Sequence, residues 1–253
     1  MALLTCGTLT VMITNVYIDA FNLYFGTLQN TPYKWLDIRA LICRLYPNDT
    51  INEVKIFTAN VNNTPSDPTQ SLRQQIYFRA LATTGVAVHL GLFTTHDKWQ
   101  PLVNSFPTAS IPTWTIGTIP KPGRTDAVIG IMPDGTQCAR VKVTNEKGTD
   151  VTLGAHLLID AFEKKFEQAI VVSNDSDLAI PVQYVNSSIG LPVQILHPSR
   201  TASPAPVRRK DPGVTIRGVA SGAKNICSLD LAACQLPSTL TDAIGTITKP
   251  PTW

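Results

Sequence analysis

Apolar runs of period two and amphipathic stretches of period 3.6 alternate along most of the chain. The first predict strands over 15–19, 53–59, 86–93, 139–144, 169–173 and 192–196, each rich in β-branched residues. The second predict helices between most of them. Over 36–46, Leu36, Ala40, Leu41 and Leu45 fall near one stripe; over 71–83, Leu72, Ile76, Phe78 and Leu81 do so; over 150–166, Leu153, Leu157, Leu158, Ala161 and Phe162. Strands alternating with helices predict a mostly parallel sheet covered on both faces, a three-layer α/β/α sandwich. Two segments break the rhythm. Residues 94–136 hold Pro101, Pro107, Pro112, Pro120, Pro122 and Gly123 and read as a long loop insertion. Residues 199–213, rich in proline and basic side chains, read as a linker. The expected layout is an extension over 1–11, a domain over 12–198, and a segment over 214–253 packing back on that domain.

With 43% hydrophobic residues in 253, the chain can bury a substantial core. A net charge of +3 permits a polyanionic partner without requiring one. The five cysteines (Cys6, Cys43, Cys138, Cys227 and Cys234) form no CxxC pair, which argues against zinc and against a disulfide framework and fits a reducing cytoplasm. The apolar opening residues lack a basic leader, and Thr and Asn interrupt them well short of a membrane span, so neither signal peptide nor membrane partner is expected. Composition leaves a homo-oligomer open.

Acidic residues carry the chemistry. Asp175 and Asp177, in SNDSDL, follow the apolar run 169–172; Asp19 closes the first strand; Asp150, in EKGTD, precedes a helical pattern. Acids at strand tips in an α/β chain gather at the carboxyl edge, where such sheets bind ligands. Carboxylates are hard ligands suited to Mg²⁺ or Mn²⁺, and their clustering is costly unless a cation offsets it. The plainer alternative is that Asp19 and Asp175 cap the turns or helices that follow them. Asp177 fits a ligand, a helix cap or a partner for a bound water. Asn22 stands where it could orient a water or a phosphate. Ser173 and Asn174 offer a hydroxyl and an amide to phosphate or to Asp19, turn bonding being the simpler role for Asn174. Lys147, beside Gly148, suits a phosphate oxygen, and Glu146 a ligand or a salt bridge. His156, four residues before Asp160, is expected to be a structural histidine hydrogen-bonded to it.

As a set, VYIDAFNLYFG, EKGTDVTLGAHLLIDAF and VVSNDSDLAIPV resemble the NYN family, relatives of the PIN-type nucleases. The similarity extends through YKWLDIRAL, KIFTA, SLRQQIYFRAL and the closing CQLPSTLTDAIGTITKPPTW, so all but the long loop is covered. The resemblance implies a PIN-like, Rossmann-like sandwich and a Mg²⁺- or Mn²⁺-dependent ribonuclease. Asp19 and Asn22 match its first motif, Asp150 its second, and Asp175 with Asp177 its third. Many relatives place an Asp where this chain has His156, and a branch reads AHLL as here; a histidine there lowers the carboxylate count.

The expectation is therefore an endoribonuclease with a metal-activated water, with Asp19, Asn22, Asp150, Asp175 and Asp177 as its catalytic set and single-stranded RNA as partner. Backbone contacts from Arg73, Arg79, Arg124, Arg208, Arg209 and Lys210, with stacking on Tyr24, Trp99 and Trp114, would hold the strand. The rival is a non-catalytic RNA-binding or assembly module on the same fold. A haloacid-dehalogenase-type phosphatase needs a second acid two residues after Asp19, where Phe21 stands. Dinucleotide binding needs a glycine-rich turn that DAFNLYFG lacks.

Overall fold

The computed structural model describes residues 11–102, 129–132, 134–198 and 213–253. Strand β1 (Ile13–Asp19) leads into α1 (Ala20–Leu23) and a π-helical turn (Tyr24–Leu28), then α2 (Ile38–Leu45), β2 (Thr50–Ala59), α3 (Gln70–Thr83) and β3 (Val86–Pro101). Strands β4 (Ile129–Ile131) and β5 (Gln137–Lys147) precede α4 (Thr149–Phe162), β6 (Gln168–Val172), a 3₁₀ turn (Ser176–Leu178), α5 (Ala179–Gln183), a π turn (Tyr184–Ile189) and β7 (Val193–His197). The chain continues through α6 (Gly213–Val219), β8 (Gly222–Asn225) and α7 (Ser228–Ala233) to the hairpin of β9 (Thr239–Thr241) and β10 (Thr246–Thr248).

The chain divides into two units, residues 93–147 and the remainder. In the larger unit six strands run parallel in the order β3-β2-β1-β6-β7-β8. Strand order progresses outward in both directions from the β1–β6 pair, so the switch point of the sheet lies between them. β1 is buried along nearly its whole length, which accounts for its near-continuous apolar run. Alternate residues supply two cores. Val16, Ile18, Val54, Ile56, Ile170 and Val172 meet Leu41 and Ile42 of α2, Leu81 of α3 and Leu231 of α7 on one face. Tyr17, Phe57, Val171 and Ile195 meet Leu153, Leu157 and Ala161 of α4, Val182 of α5 and Ile216 of α6 on the other. These are the three layers of an α/β/α sandwich, as the alternating pattern predicts.

The predicted strand over 139–144 lies in β5, which belongs to the smaller unit and runs antiparallel to β4. Its connection to β4 is a tight turn with Gly135 at φ +84°, too short for the crossover a parallel neighbour requires. The loop predicted from 94 starts later, because β3 continues to Pro101; residues 103–128 and 199–212 lie outside the described residues. Strand β8, the short polar GAKN, carries no periodic signal. A third cluster packs Trp35, Ala80, Leu236 and Ile247 under Tyr77 and Trp253. Arg79, read as an RNA contact, instead grips Asp242 at 2.8 and 2.9 Å, tying α3 to the β9–β10 turn and holding the Asp242 carboxyl down at about 2.

α4 is anchored at its far end by a buried charge. Asp160, 1% exposed, accepts hydrogen bonds from Tyr17 Oη at 2.7 Å, from Lys55 Nζ, and from Lys165 Nζ at 3.2 Å. Burial pushes the Asp160 carboxyl up, but the hydrogen bonds from Lys55 and Tyr17 outweigh it and hold it below the usual range. The expected partner, His156, is not among these donors: its ring packs on Phe57 at 5.3 Å and on His89 at 4.5 Å. Tyr17, Lys55 and Lys165 supply the bonds to Asp160, and His156 packs on the aromatic wall instead. Removing one member of a buried ion pair strands the other charge. Asp160→Ala is expected to cost about 3–5 kcal/mol in urea unfolding, against under ~1 kcal/mol for Lys165→Ala, whose side chain is 46% exposed.

Candidate functional site

Asp19 ends β1 at the carboxyl edge beside the switch point. Its Oδ1 accepts the Asn22 backbone N–H at 3.0 Å, capping α1, and its Oδ2 accepts the Asn22 side-chain amide and the Ser173 hydroxyl, the latter at 3.1 Å. Asn22 and Ser173 thus grip the carboxylate rather than reach outward. The pairing of Ile18 with Val172 brings Ser173 beside Asp19 across the switch point. Beyond it, Asp175 caps the 3₁₀ turn by accepting the Asp177 N–H at 3.0 Å, while its own N–H donates to Ser173 Oγ at 3.1 Å. The capping roles read as the plainer alternative are therefore real, and they aim the acids: a cap fixes the direction of the side chain it uses. Asp177 lies in the first turn and Asn174 bridges it to β6, half-buried.

Asp150 arrives from α4. The helix starts at Gly148, held at φ +89°, a left-handed conformation that favours glycine. No side chain caps this end. Packing of Leu153 and Leu157 against the sheet sets the first turn, and hence Asp150, at the same edge as Asp19. Burial first, then repulsion from Asp19, Asp175 and Asp177, push the Asp150 carboxyl up to about 6. Burial raises Asp19 as well; the bonds from Asn22 and Ser173 oppose this, and Asp175 adds to it. The four acids therefore share one electrostatic site. Among the described residues no Lys or Arg forms an ion pair with any of them.

A hard divalent cation fits this donor set in chemistry. Among the described residues no three His, Cys, Asp or Glu side chains converge closely enough to ligate one ion. Mg²⁺ does not require that: it keeps several waters and commonly takes one or two carboxylates. Lys147 and Glu146 lie in β5, with side chains outside the described part of the structure; Trp114, Arg124, Arg208, Arg209 and Lys210 lie outside the described residues, and Trp99 belongs to the smaller unit.

Two features lacked a sequence signal. His89 sits in register with Phe57, and Phe57 with Asp19, so a row of the sheet runs from the acid to the stacked Phe57 and His89 rings, against which His156 is tilted. Burial, then neighbouring His156, hold the His89 imidazole below its usual range. The second is a cavity of about 530 Å³ walled by residues that follow Asp19 and by α3. Its aromatic lining comes from positions far apart in the chain.

No family model matches the chain. It is 24% identical over 258 aligned positions, covering 95% of this chain and 75% of the other, to a Pseudomonas putida enzyme named 6-hydroxy-3-succinoylpyridine 3-monooxygenase. A Vibrio parahaemolyticus protein of unknown function shares 13% identity over 86% of this chain and 94% of its own, with a TM-score of 0.45. No helix among the described residues is long and apolar enough to cross a membrane.

The site has a pH signature. The folded Asp150 pKa lies above its unfolded value near 3.8, so the folded state binds the extra proton between about 4 and 6. Stability from this group is thus present at low pH and lost as pH rises through 6. At pH 7.5 Asp150→Asn is expected to raise Tm by about 2–4 °C, with the gain shrinking toward zero by pH 4.5. Calorimetry of both proteins across that range checks it.

Proposed function

We propose that the chain is a Mg²⁺- or Mn²⁺-dependent endoribonuclease of the NYN type. The observation that carries this reading is the gathering of Asp19, Asp150, Asp175 and Asp177 at the switch point with no described cation to balance them. One or two of Asp19, Asp150 and Asp175 would hold the ion directly, with the remaining acids, Asp177 among them, reaching it through its waters. A divalent cation there supplies a water of lowered pKa and positive charge against the phosphate oxygens. The rest is work for the chain's own groups. Asn22 and Ser173 hold Asp19 in one rotamer and oppose the upward push of burial on its carboxyl. The uncapped amides at the start of α4 point to the same edge, and such amides favour a phosphate oxygen. Single-stranded RNA crossing the edge can be drawn in by its backbone, with the mildly positive net charge in support. A non-catalytic RNA-binding module has less support, because uncompensated acids repel a polyanion unless metal covers them.

A second reading follows from the Pseudomonas putida relative and the aromatic cavity: oxygenation of a nitrogen heteroaromatic ring. It requires O₂ and a two-electron reductant, with one oxygen atom entering the ring and the other leaving as water.

A labelled mixed-sequence RNA incubated with purified protein in Mn²⁺, Mg²⁺ or EDTA separates these readings. Cleavage is expected with either metal, absent in EDTA, and lowered about 100-fold or more in Asp175→Asn. Ser173→Ala, which frees Asp19 without removing a carboxylate, is expected to lose about 10- to 100-fold. RNA bound but uncut under every condition supports the binding module; no cleavage, with reductant-dependent O₂ uptake on adding a hydroxypyridine, supports the second reading.

A further inference from the structure

We infer that the cavity beside α1 is a nucleobase pocket that receives one base of the RNA strand whose phosphate lies at Asp19; the inference rests on the nuclease reading above. The cavity starts at Ala20, one residue beyond Asp19, and its wall includes Ile56 and Thr58, the residues on either side of Phe57, which is in register with Asp19. Ile56 belongs to the α2–α3 face of the sheet, whereas Asp150 comes from α4 on the other face. The carboxyl edge therefore lies between them. A ribose-phosphate seated on that edge presents its phosphate to the acids and its base to the cavity.

The lining suits a flat heteroaromatic ring. Phe21, Tyr24 and Phe25 come from one side, Tyr77 and Phe78 from α3, and Trp253 closes the end. Phe21 and Phe25 lie nearly parallel, 18° apart with centroids at 6.2 Å, and Phe25 remains 50% exposed. The π-helical turn that carries Tyr24 and Phe25 is a rare local geometry, and such turns recur at functional positions. A large aromatic left half in water beside other rings is a stacking surface short of a partner. The polar groups divide by what they already do. Gln74 is spent inside the fold, on Val61 N–H and the Ala59 carbonyl, both at 2.9 Å, and Asp67 is paired with Arg73. Lys34 and Gln70 also line the cavity and make no side-chain hydrogen bond or ion pair among the described residues, Lys34 acting on Asp67 through its charge alone; one is a cation for the strand and the other an amide able to read a base edge. A cavity of about 530 Å³ falls in the range of small-ligand sites and accommodates a nucleoside. An aliphatic ligand would leave Lys34 and Gln70 without a role.

The test compares binding of a fluorescent mixed-sequence RNA hexamer with binding of the same backbone carrying abasic riboses, in Ca²⁺, an oxygen-liganded cation that covers the acids, by wild type, Phe25→Ala, Phe78→Ala and Phe25→Trp, with the hexamer's integrity checked after each titration. Circular dichroism and Tm confirm that each variant is folded. Each alanine variant is expected to weaken the base-bearing hexamer about 5- to 150-fold and to leave the abasic hexamer unchanged, whereas Phe25→Trp, which keeps an aromatic face at position 25, is expected to bind both as wild type does. Equal binding of both hexamers, or of neither, overturns the pocket, as does an alanine effect of the same size on both. If metal-dependent cleavage persists in that case, the pocket alone has failed. If wild type cuts no RNA and a free hydroxypyridine competes at Phe25 while the hexamer does not, the nuclease reading has failed and the occupant is a small heteroaromatic ring instead of an RNA base.

Discussion

The placement of α4 on the sheet is the constraint on which the rest depends. Its far end is held by one buried carboxylate, Asp160, bonded to Tyr17 of β1 and Lys55 of β2. Its middle is held by Leu153 and Leu157, fully buried against Tyr17 and Phe57. A helix fixed at those points has no freedom left at its first turn, so Asp150 is delivered to the tip of β1. A buried ion pair adds little net stability compared with apolar packing, but its bonds are directional and leucine contacts are not. The pair therefore sets which residues of α4 face which strand, and through that the geometry of the acidic site.

The site and the cavity follow from the topology of one sheet edge. Reversal of strand order between β1 and β6 opens a crevice there, and three chain segments fall into it: the β1 exit, the turn after β6 and the start of α4. Each segment uses its acid in a local structural role or near a helix start, and each local role sets a direction. The summed effect is repulsion that lifts Asp150 to about 6. Such an arrangement costs stability in the isolated chain and is offset when positive charge arrives, the relation expected between a binding site and its ligand. On the opposite face, α1 and its π turn leave the aromatic cavity one residue from Asp19.

Much of this architecture was legible in the sequence because burial imposes a period. β1, β2, β6, β7 and the first half of β3 read as apolar runs and α2, α3 and α4 as helices, so the sandwich followed, although Leu72 and Phe162, read into the apolar stripes, are exposed. The acids could be picked out because each stands where a strand ends or a helix begins. What was not legible depends on contacts between distant residues. The antiparallel place of β5 is decided by a short turn, not by its own composition. Arg79 looks like a solvated helix arginine until Asp242, far along the chain, is brought beside it. His156 has the spacing to reach Asp160, yet Tyr17, Lys55 and Lys165 occupy that carboxylate first. The cavity is assembled from residues as distant as Phe21 and Trp253, and no local pattern joins them.

The most direct test of the account is electron paramagnetic resonance of Mn²⁺ titrated into the protein near neutral pH, beside Asp19→Asn and Asp150→Asn. The account predicts saturable loss of the free-ion signal at a fixed stoichiometry in wild type, competed by Mg²⁺, and weakened in both variants although each is folded. A free-ion signal that tracks the added Mn²⁺ in wild type as it does in the variants would contradict it, and the capping roles of Asp19 and Asp175 would then be purely structural.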